Sequence, residues 1–192
     1  MKNACLTLAV VVVSVLLIGL PASAQTAQQQ RSGQTSDPFI TRAMQMNQAE
    51  IDLGKMAQSK TQNPRVKEYA DMMVLDHSQA QEKLRGTSGA SQGQVQLSKE
   101  QQQLSDKLSR LDGQQFDKEY MAAMVKDHRQ AVQIFQKEAG TGTSGTTQRQ
   151  KPAGANSNDA SIAQEMLPTL QKHLSEAEQI SRSIGSTANP TR

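Results

Sequence analysis

KEYADMMVLDHSQA, residues 67–80, is the stretch that decides the fold, because it returns 51 residues later as KEYMAAMVKDHRQA, residues 118–131. The two copies agree at nine of their fourteen positions. In both copies apolar residues recur at spacings of three and four, which places them on one stripe of an amphipathic helix. His77 lies on this stripe in the first copy and His128 in the second. The repeat therefore predicts two long helices with the same role in one bundle.

The helix before the repeat has the same pattern. It opens at Asp37-Pro38, and the helix of the first copy opens at Asn63-Pro64. A capping residue followed by proline is typical of a helix start. The connection between these two helices is short, so we expect them to pack antiparallel as a hairpin.

The last helix follows a segment of low complexity, residues 140–158, which we interpret as a loop. This helix starts near Asn158 or Asp159 and ends at Gly185, and it carries a third stripe histidine, His173. Pro168 lies inside it, and we expect the proline to kink the helix or to separate its first turns.

The connection between the two copies is long and has a structure of its own. Residues 86–97 form a Gly- and Ser-rich loop. Ser98 to Leu111 predicts a short helix, with Ser98 and Gln101 placed to form a capping box, and Asp112-Gly113 ends it. Such a connection can cross the length of the bundle, so that the second and third long helices run parallel. The chain thus predicts an all-α fold, a four-helix bundle over residues 37–185 with an extra short helix in the crossover.

The first 24 residues predict a secretory signal peptide. Lys2 supplies a positive start, residues 4–20 are apolar and uncharged, and Ala22-Ser23-Ala24 is a cleavage site. Cleavage after Ala24 places the mature protein in the periplasm or outside the cell. It also removes Cys5, the single cysteine of the chain, so that no disulfide or thiolate ligand is left. The alternative, a retained anchor, is disfavoured by the short run and by Pro21.

The remaining termini and the charge limit the partners. Residues 25–36 are a polar tether expected to be disordered, and residues 186–192 are a polar tail. After cleavage no apolar segment is long enough to span a membrane. The net charge is only +3 and no dense basic block occurs, which argues against a nucleic-acid partner. An envelope protein is the partner that the predicted location allows.

Each of the four long helices places one candidate metal ligand on its apolar stripe. These residues are Glu50, His77, His128 and His173. Facing helices of a bundle commonly build metal sites in this way. Two alternatives stay open: a metal-free polar cluster of Glu50 with protonated histidines, or residues that do not meet. A lone buried glutamate is costly, which favours a metal site or a metal-free polar cluster over residues that do not meet.

Three more carboxylates lie near the candidate ligands. Asp76 and Asp127 each precede a histidine, which places them at the edge of the stripe, where each can reach a histidine of the neighbouring helix. Glu176 follows His173 by one turn. We interpret all three as outer partners or alternative ligands, although a solvated position is an equally good reading of the two aspartates.

The metal favoured by imidazole and carboxylate ligands is zinc or another divalent transition metal. Met46, Met73 and Met124 precede three of the candidate ligands by four residues, which makes copper an alternative, although methionine also simply fills a core that has few aromatic residues. Iron is a further alternative.

These motifs together resemble the bacterial "domain of unknown function 4142" family over residues 37–182. The resemblance rests on the following motifs: Asp37-Pro38-Phe39, Leu53-Gly54, Met73 with Asp76-His77, Gly113 with Phe116-Asp117 and Tyr120, Met124 with His128, and Leu167-Pro168-Thr169-Leu170 with His173. Members of that family are exported, are often labelled as outer-membrane proteins, and are placed in the ferritin-like helical group. The resemblance implies a ferritin-like four-helix arrangement and no established function.

The chain departs from the ferritin pattern at the residues that would hold two irons. Di-iron bundles use Glu-x-x-His on two helices, whereas Val74, Val125 and Leu170 occupy the positions three before the histidines here. One mononuclear site fits better. The sequence therefore predicts a non-enzymatic metal-binding bundle of the cell envelope, with a metal-free structural or interaction module as the second hypothesis and a ferritin-like redox or peroxide-handling enzyme as the third.

Overall fold

The computed structural model describes residues 38–88, 95–141 and 157–187. These residues form α1 (Pro38–Lys60), α2 (Pro64–Ser88), α3 (Lys99–Ser109), α4 (Gly113–Glu138) and α5 (Ser157–Thr187). No strand occurs within the described ranges, so the prediction of an all-α fold is confirmed. None of the described helices combines the length and the apolar character that a membrane span requires.

Several predicted features lie outside the described residues. They are the signal peptide and its cleavage site after Ala24, the tether with Asp37, the centres of both low-complexity loops (89–94 and 142–156), and the end of the tail (188–192). These features stay predictions.

The short helix α3 begins with the capping box that the sequence predicted. The backbone N–H of Gln101 donates to Ser98 Oγ at 3.2 Å, and the N–H of Ser98 donates to Gln101 Oε1 at 2.8 Å. After α3 the chain turns at Asp112, and α4 starts at Gly113, whose φ of 55° lies in the left-handed region. The break between the short and the long helix therefore depends on a glycine.

Helix α5 is continuous from Ser157 to Thr187 and contains Pro168. Of the two outcomes expected at Pro168, separation of the first turns does not occur, and a kink stays a prediction. Proline cannot donate to the carbonyl of Gln164, which weakens the helix at that point. Ile162 before the proline and Leu170 after it are both buried in the same apolar cluster, so packing holds the two parts in one helix.

Two hairpins, α1–α2 and α4–α5, build the bundle. Both are antiparallel, because residues later on one helix contact residues earlier on the other. Lys60 Nζ, at the end of α1, donates to Leu111 O at 2.9 Å, just before α4. The Phe39 and Phe135 rings, at the opposite ends of these helices, lie 5.1 Å apart. α1 and α4 are therefore antiparallel. Because α2 is also antiparallel to α1, α2 and α4 run parallel, as the long crossover predicted.

The core consists of two apolar clusters. The first surrounds Tyr69, Phe116 and Tyr120, and the second surrounds Phe39 and Phe135. On each helix that carries a histidine, the histidine lies between a residue of the first cluster and a residue of the second. The flanking pairs are Met73 and Leu84, Met124 and Ala131, and Leu170 and Ala177. The three histidines therefore lie at one level, in a polar layer that separates the two apolar halves.

The level of α1 against α2 depends on Gly54. A Cβ at this position would lie 2.8 Å from Val74 Cγ2 and 3.4 Å from Ala70 O. The α1 backbone at Gly54 therefore lies so close to α2 that it leaves no room for a side chain. The branched Val74 side chain has little freedom to move away.

We expect Gly54→Ala to lower the free energy of unfolding by about 1–2 kcal/mol, because the overpacked contact outweighs the better helix propensity of alanine. Gly86→Ala is the matched control, since a Cβ at Gly86 would meet no atom within 4 Å. It should stabilise α2 by up to about 1 kcal/mol. Urea unfolding of both variants measures the two effects. A change in the free energy of unfolding that has the same sign in both variants would contradict the close contact at Gly54.

Candidate metal centre

Three histidines from three helices meet in the polar layer. The His77 ring centroid lies 5.6 Å from that of His128 and 5.3 Å from that of His173, and the last two are 5.4 Å apart. One nitrogen from each ring lies within 4.8 Å of the other two. The three residues are 5%, 1% and 1% exposed, so the group is closed to bulk water on most sides.

One nitrogen of His77 and one of His128 are held by an oxygen acceptor. His77 Nδ1 donates to the amide oxygen of Asn47 at 2.5 Å, and His128 Nδ1 donates to the backbone carbonyl of Met124 at 2.9 Å. In the corresponding tautomers each Nε2 carries a lone pair. Both Nε2 atoms are buried and have no hydrogen-bond partner among the described residues.

His173 is held in the same way, except that Nε2 makes the hydrogen bond and Nδ1 is left without one in the described part of the chain. Its Nε2 lies 2.9 Å from Asp76 Oδ2 on α2, and its Nδ1 is buried without a partner among the described residues. Each ring thus has one nitrogen fixed by an oxygen and one nitrogen unused. Histidines that bind metals show this pattern, because the outer hydrogen bond sets the tautomer and the ring orientation.

Burial favours the neutral form of all three imidazoles. Desolvation, with the neighbouring histidines, lowers the pKa of His77 well below its usual 6.5. Desolvation also lowers the pKa of His128 to about 4, although its bond to Met124 O opposes this. The pKa of His173 is lowered by burial too, against the opposing charge of Asp76. Neutral imidazole is the form that coordinates a metal.

Glu50, the fourth predicted ligand, lies beside this group rather than within it. Its Oε1 is 3.9 Å from His128 Nδ1, the nitrogen that already donates to Met124 O. Its Oε2 is buried and has no partner among the described residues. Burial, and then the charge of Asp127, raise the pKa of Glu50, and the Glu50 charge in turn contributes to the raised pKa of Tyr120. Glu50 therefore lies between the histidine layer and the tyrosines of the first cluster.

The other predicted carboxylates occupy different positions. Asp76 contacts the histidine of the neighbouring helix, in the position expected of an outer partner. Asp127 makes no hydrogen bond to a histidine within the described part of the chain, and burial raises its pKa. Glu176 acts on His173 through its charge, which raises the pKa of that histidine.

Asn47 is the residue that the sequence analysis missed. It is 4% exposed and fixes His77, yet asparagine is not a usual core residue. The signal was present, since Asn47 follows Ala43 by four residues and precedes Glu50 by three, on the apolar stripe of α1. The Met124 carbonyl, a backbone group, could not have been found from residue types.

A cavity of about 300 Å³ connects this layer with the surface between α2 and α5. The walls are formed by Asn47, Asp76, His77, Gln79, Ala80, Lys83, Glu165, Met166, Thr169, Leu170 and His173. Two of the three histidines thus face a space that a small molecule can enter. Lys83 and Glu165 form an ion pair across it.

The comparisons with known proteins agree with the resemblance noted in the sequence. A family model described as domain of unknown function (DUF4142) matches residues 20–180. The chain belongs to the DUF4142 family. A crystal structure from Streptomyces coelicolor, described as a presumed secreted protein of DUF305, is similar with a TM-score of 0.58 at 14% identity, and the match covers 79% of this chain and 95% of that one. No curated protein sequence matches the chain.

In this DUF4142 chain the layer offers three imidazole nitrogens and no carboxylate in the same group. Three nitrogen ligands suit one zinc-like ion with a fourth position left open. They do not suit a pair of irons, which needs bridging carboxylates from several helices. Three buried histidines could hold a metal ion, and the arrangement allows one ion with an exchangeable ligand.

Proposed function

We propose that this protein is an exported, ferritin-like helical bundle that binds a single divalent metal ion through His77, His128 and His173. Zinc is the first candidate, with copper and iron as alternatives. The observation that carries the proposal is the set of three buried, unpartnered ring nitrogens, each opposite a nitrogen that is fixed by an oxygen.

A metal explains an arrangement that is otherwise costly. A buried polar atom without a partner costs about 1–3 kcal/mol, and the histidine layer contains three of them, on rings whose centroids lie 5.3–5.6 Å apart. One ion would use all three lone pairs together. From their present separation, each nitrogen has to move by about 1 Å or less to reach the roughly 2.0–2.1 Å that zinc–imidazole bonds require.

Among the surrounding carboxylates, that of Asp76 supports a cation at this point. Asp76 raises the basicity of His173 through its hydrogen bond. Glu50 lies 3.9 Å from His128 Nδ1, and Asp127 acts on Glu50 through its charge. The pKa values of both carboxyl groups are raised by burial, which favours their neutral form beside the layer. We therefore assign Glu50, Asp76, Asp127 and Glu176 to the outer environment and the three histidines to the metal itself.

Further features support the proposed export of the protein and its proposed ferritin-like fold. The predicted signal peptide with cleavage after Ala24 and the presumed secretion of the structurally similar DUF305 protein both favour the periplasm or the cell exterior. Two antiparallel hairpins joined by a long crossover are the connectivity of ferritin-like bundles.

The test is a metal titration of the mature protein after treatment with a chelator. We expect one zinc ion per chain, and a free-zinc concentration of 100 times Kd should stabilise the fold by about 2.7 kcal/mol, which corresponds to a rise in Tm of roughly 5–10 °C. Magnesium, which prefers oxygen ligands, is the control and should leave Tm unchanged. Copper(II) and iron(II) titrated in parallel identify the preferred ion.

The rival function is a metal-free module whose polar layer fixes the pairing of the helices, as buried polar groups do in some bundles. It predicts that zinc, copper and iron all leave Tm unchanged. An unchanged Tm with all three metals, in a folded apoprotein, would contradict the metal proposal.

A further inference from the structure

We propose that the cavity between α2 and α5 binds a small monocarboxylate with a short alkyl tail, whose carboxylate completes the coordination of the metal. This inference rests on the proposed function, because it names the ligand class of the same centre. Four observations carry it: the open coordination position, a donor group in the wall, the charge of the lining and the apolar side of the cavity.

We assign the open position to the side of the cavity. Three imidazoles leave one site of a tetrahedral ion free. His77 and His173 both line the cavity, whereas His128 does not. Among the described residues, this space between α2 and α5 is therefore the route by which an external ligand approaches the proposed ion.

Asn47 offers a hydrogen-bond donor at the same place. Its Oδ1 accepts from His77, which leaves Nδ2 as the free end of a side chain that lines the cavity. Asn47 Nδ2 is buried and has no partner among the described residues. A ligand with an acceptor oxygen next to the metal would satisfy it, and a carboxylate has one oxygen for the ion and one for the amide.

The charge of the lining favours an anion once the metal is present. Lys83 is paired with Glu165, and Asp76 is the remaining charged group of the wall. With three neutral imidazoles, a divalent ion and Asp76 sum to one net positive charge among the groups that line the cavity, which a monoanion neutralises. A phosphate would need more cationic donors than the wall provides.

Part of the cavity wall is apolar. Ala80, Met166 and Leu170 line it. A volume of about 300 Å³ is at the lower end for small-molecule sites, so the tail has to be short. Each buried methylene of such a tail should strengthen binding by a few-fold.

The experiment loads the mature chain with cobalt(II), which reports its ligands through visible absorption, and titrates it with acetate, butyrate and inorganic phosphate. We expect both carboxylates to change the spectrum with saturation, butyrate to bind about tenfold more tightly than acetate, and phosphate to have no effect at the same concentrations. Butyrate that binds no better than acetate would overturn the assignment of the apolar side.

Ala80→Leu tests the cavity without touching a histidine. It should retain one cobalt per chain and lose at least tenfold in butyrate affinity, and Ala80→Val should give a smaller loss if the larger residue disturbs folding. Ala122→Leu, on the exposed face of α4, is the matched control and should bind butyrate as the native chain does.

The failures of the two proposals are distinguishable. Bound cobalt with a spectrum that no carboxylate changes overturns the ligand and leaves the metal centre in place. Absence of stoichiometric metal overturns both, because the carboxylate then has no ion to bind.

Discussion

Replacing both His77 and His128 with leucine should abolish metal binding while the bundle stays folded. Two of the three nitrogens of the proposed centre disappear, and the single remaining imidazole cannot hold an ion. The loss should exceed the roughly 100-fold that the removal of an outer hydrogen bond costs at a metal site. Isothermal calorimetry with zinc on the double variant and the native chain measures it.

The apoprotein of this variant should be as stable as the native apoprotein, or more stable. Leucine has a volume close to that of histidine and buries no polar atom, so two unpartnered nitrogens are removed. Against this, Asn47 Oδ1 loses its donor, at about 1–3 kcal/mol where water cannot replace it, whereas Met124 O keeps the helical N–H of residue 128. The two effects are of similar size, and we expect a net change of no more than about 2 kcal/mol in urea unfolding.

Gln130→Leu is the control for this experiment. Gln130 is exposed on α4, two residues after His128, so the substitution adds a leucine to the same helix without touching the layer. It should keep the native affinity for zinc. A double variant that still binds one zinc tightly would show that the ion lies elsewhere, and His173→Leu provides the same readout if the double variant does not fold.

The histidine layer was predictable from the sequence because it depends on spacing along single helices. His77 and His128 occupy the same position of a repeat, and His173 lies on the stripe of α5. A stripe residue of a bundle has to face the core. Their common level follows from the two hairpins, since the turn between helices fixes which residues face each other.

The position of α1 along its axis, relative to the other helices, could not be predicted to the same accuracy. Both Asn47 and Glu50 lie on its stripe, and they are less than one turn apart. Which of them meets His77 depends on a shift of a few ångströms along the helix. That shift is set by the close contact of Gly54 with Val74 and by the packing of Phe39 on Phe135, neither of which residue patterns reveal.

Pro168 also shows that local helix propensity alone does not predict where a helix ends. Its missing N–H argues for a break in α5, and the local argument is physically sound. The buried residues on both sides outweigh it. Local propensity therefore predicted the position of every long helix but not whether a helix passes through its weakest residue.

Acid should destabilise the metal-free protein over the range from about pH 6.5 to about pH 4. The pKa of His128 is lowered from 6.5 to about 4 in the folded chain, so in this range the unfolded chain binds more protons than the folded one. The stability that the neutral imidazole contributes is complete above pH 6.5 and is lost as the pH falls. For His128 alone the loss is roughly 3 kcal/mol, and the lowered pKa values of His77 and His173 act in the same direction.

The carboxylates around the layer modify this profile. The pKa of Glu50 is raised, and that of Asp127 is raised too, so their stabilising form is the protonated one and their effect has the opposite sign. Asp76 and Glu176 counteract the lowered pKa of His173. Glu50→Gln separates the contributions. This variant should be more stable than the native apoprotein at pH 7, and its acid loss should be steeper because the raised pKa of Glu50 no longer opposes the imidazoles.

Urea unfolding at steps between pH 7.5 and pH 4 measures both profiles, with the histidine-to-leucine double variant as the control. That control should lose most of the slope, since only His173 remains. A native apoprotein whose stability is constant over this range would contradict the burial of neutral imidazoles.

Metal should move the same transition. Protons and the ion compete for the three ring nitrogens that have no other partner, so binding of the ion requires the neutral form that burial already favours. With saturating zinc the acid transition should therefore shift to lower pH, and it should coincide with release of the ion measured by a zinc-sensitive dye. Unfolding that precedes metal release, or a transition that zinc does not shift, would mean that the imidazoles which titrate are not those that bind the ion.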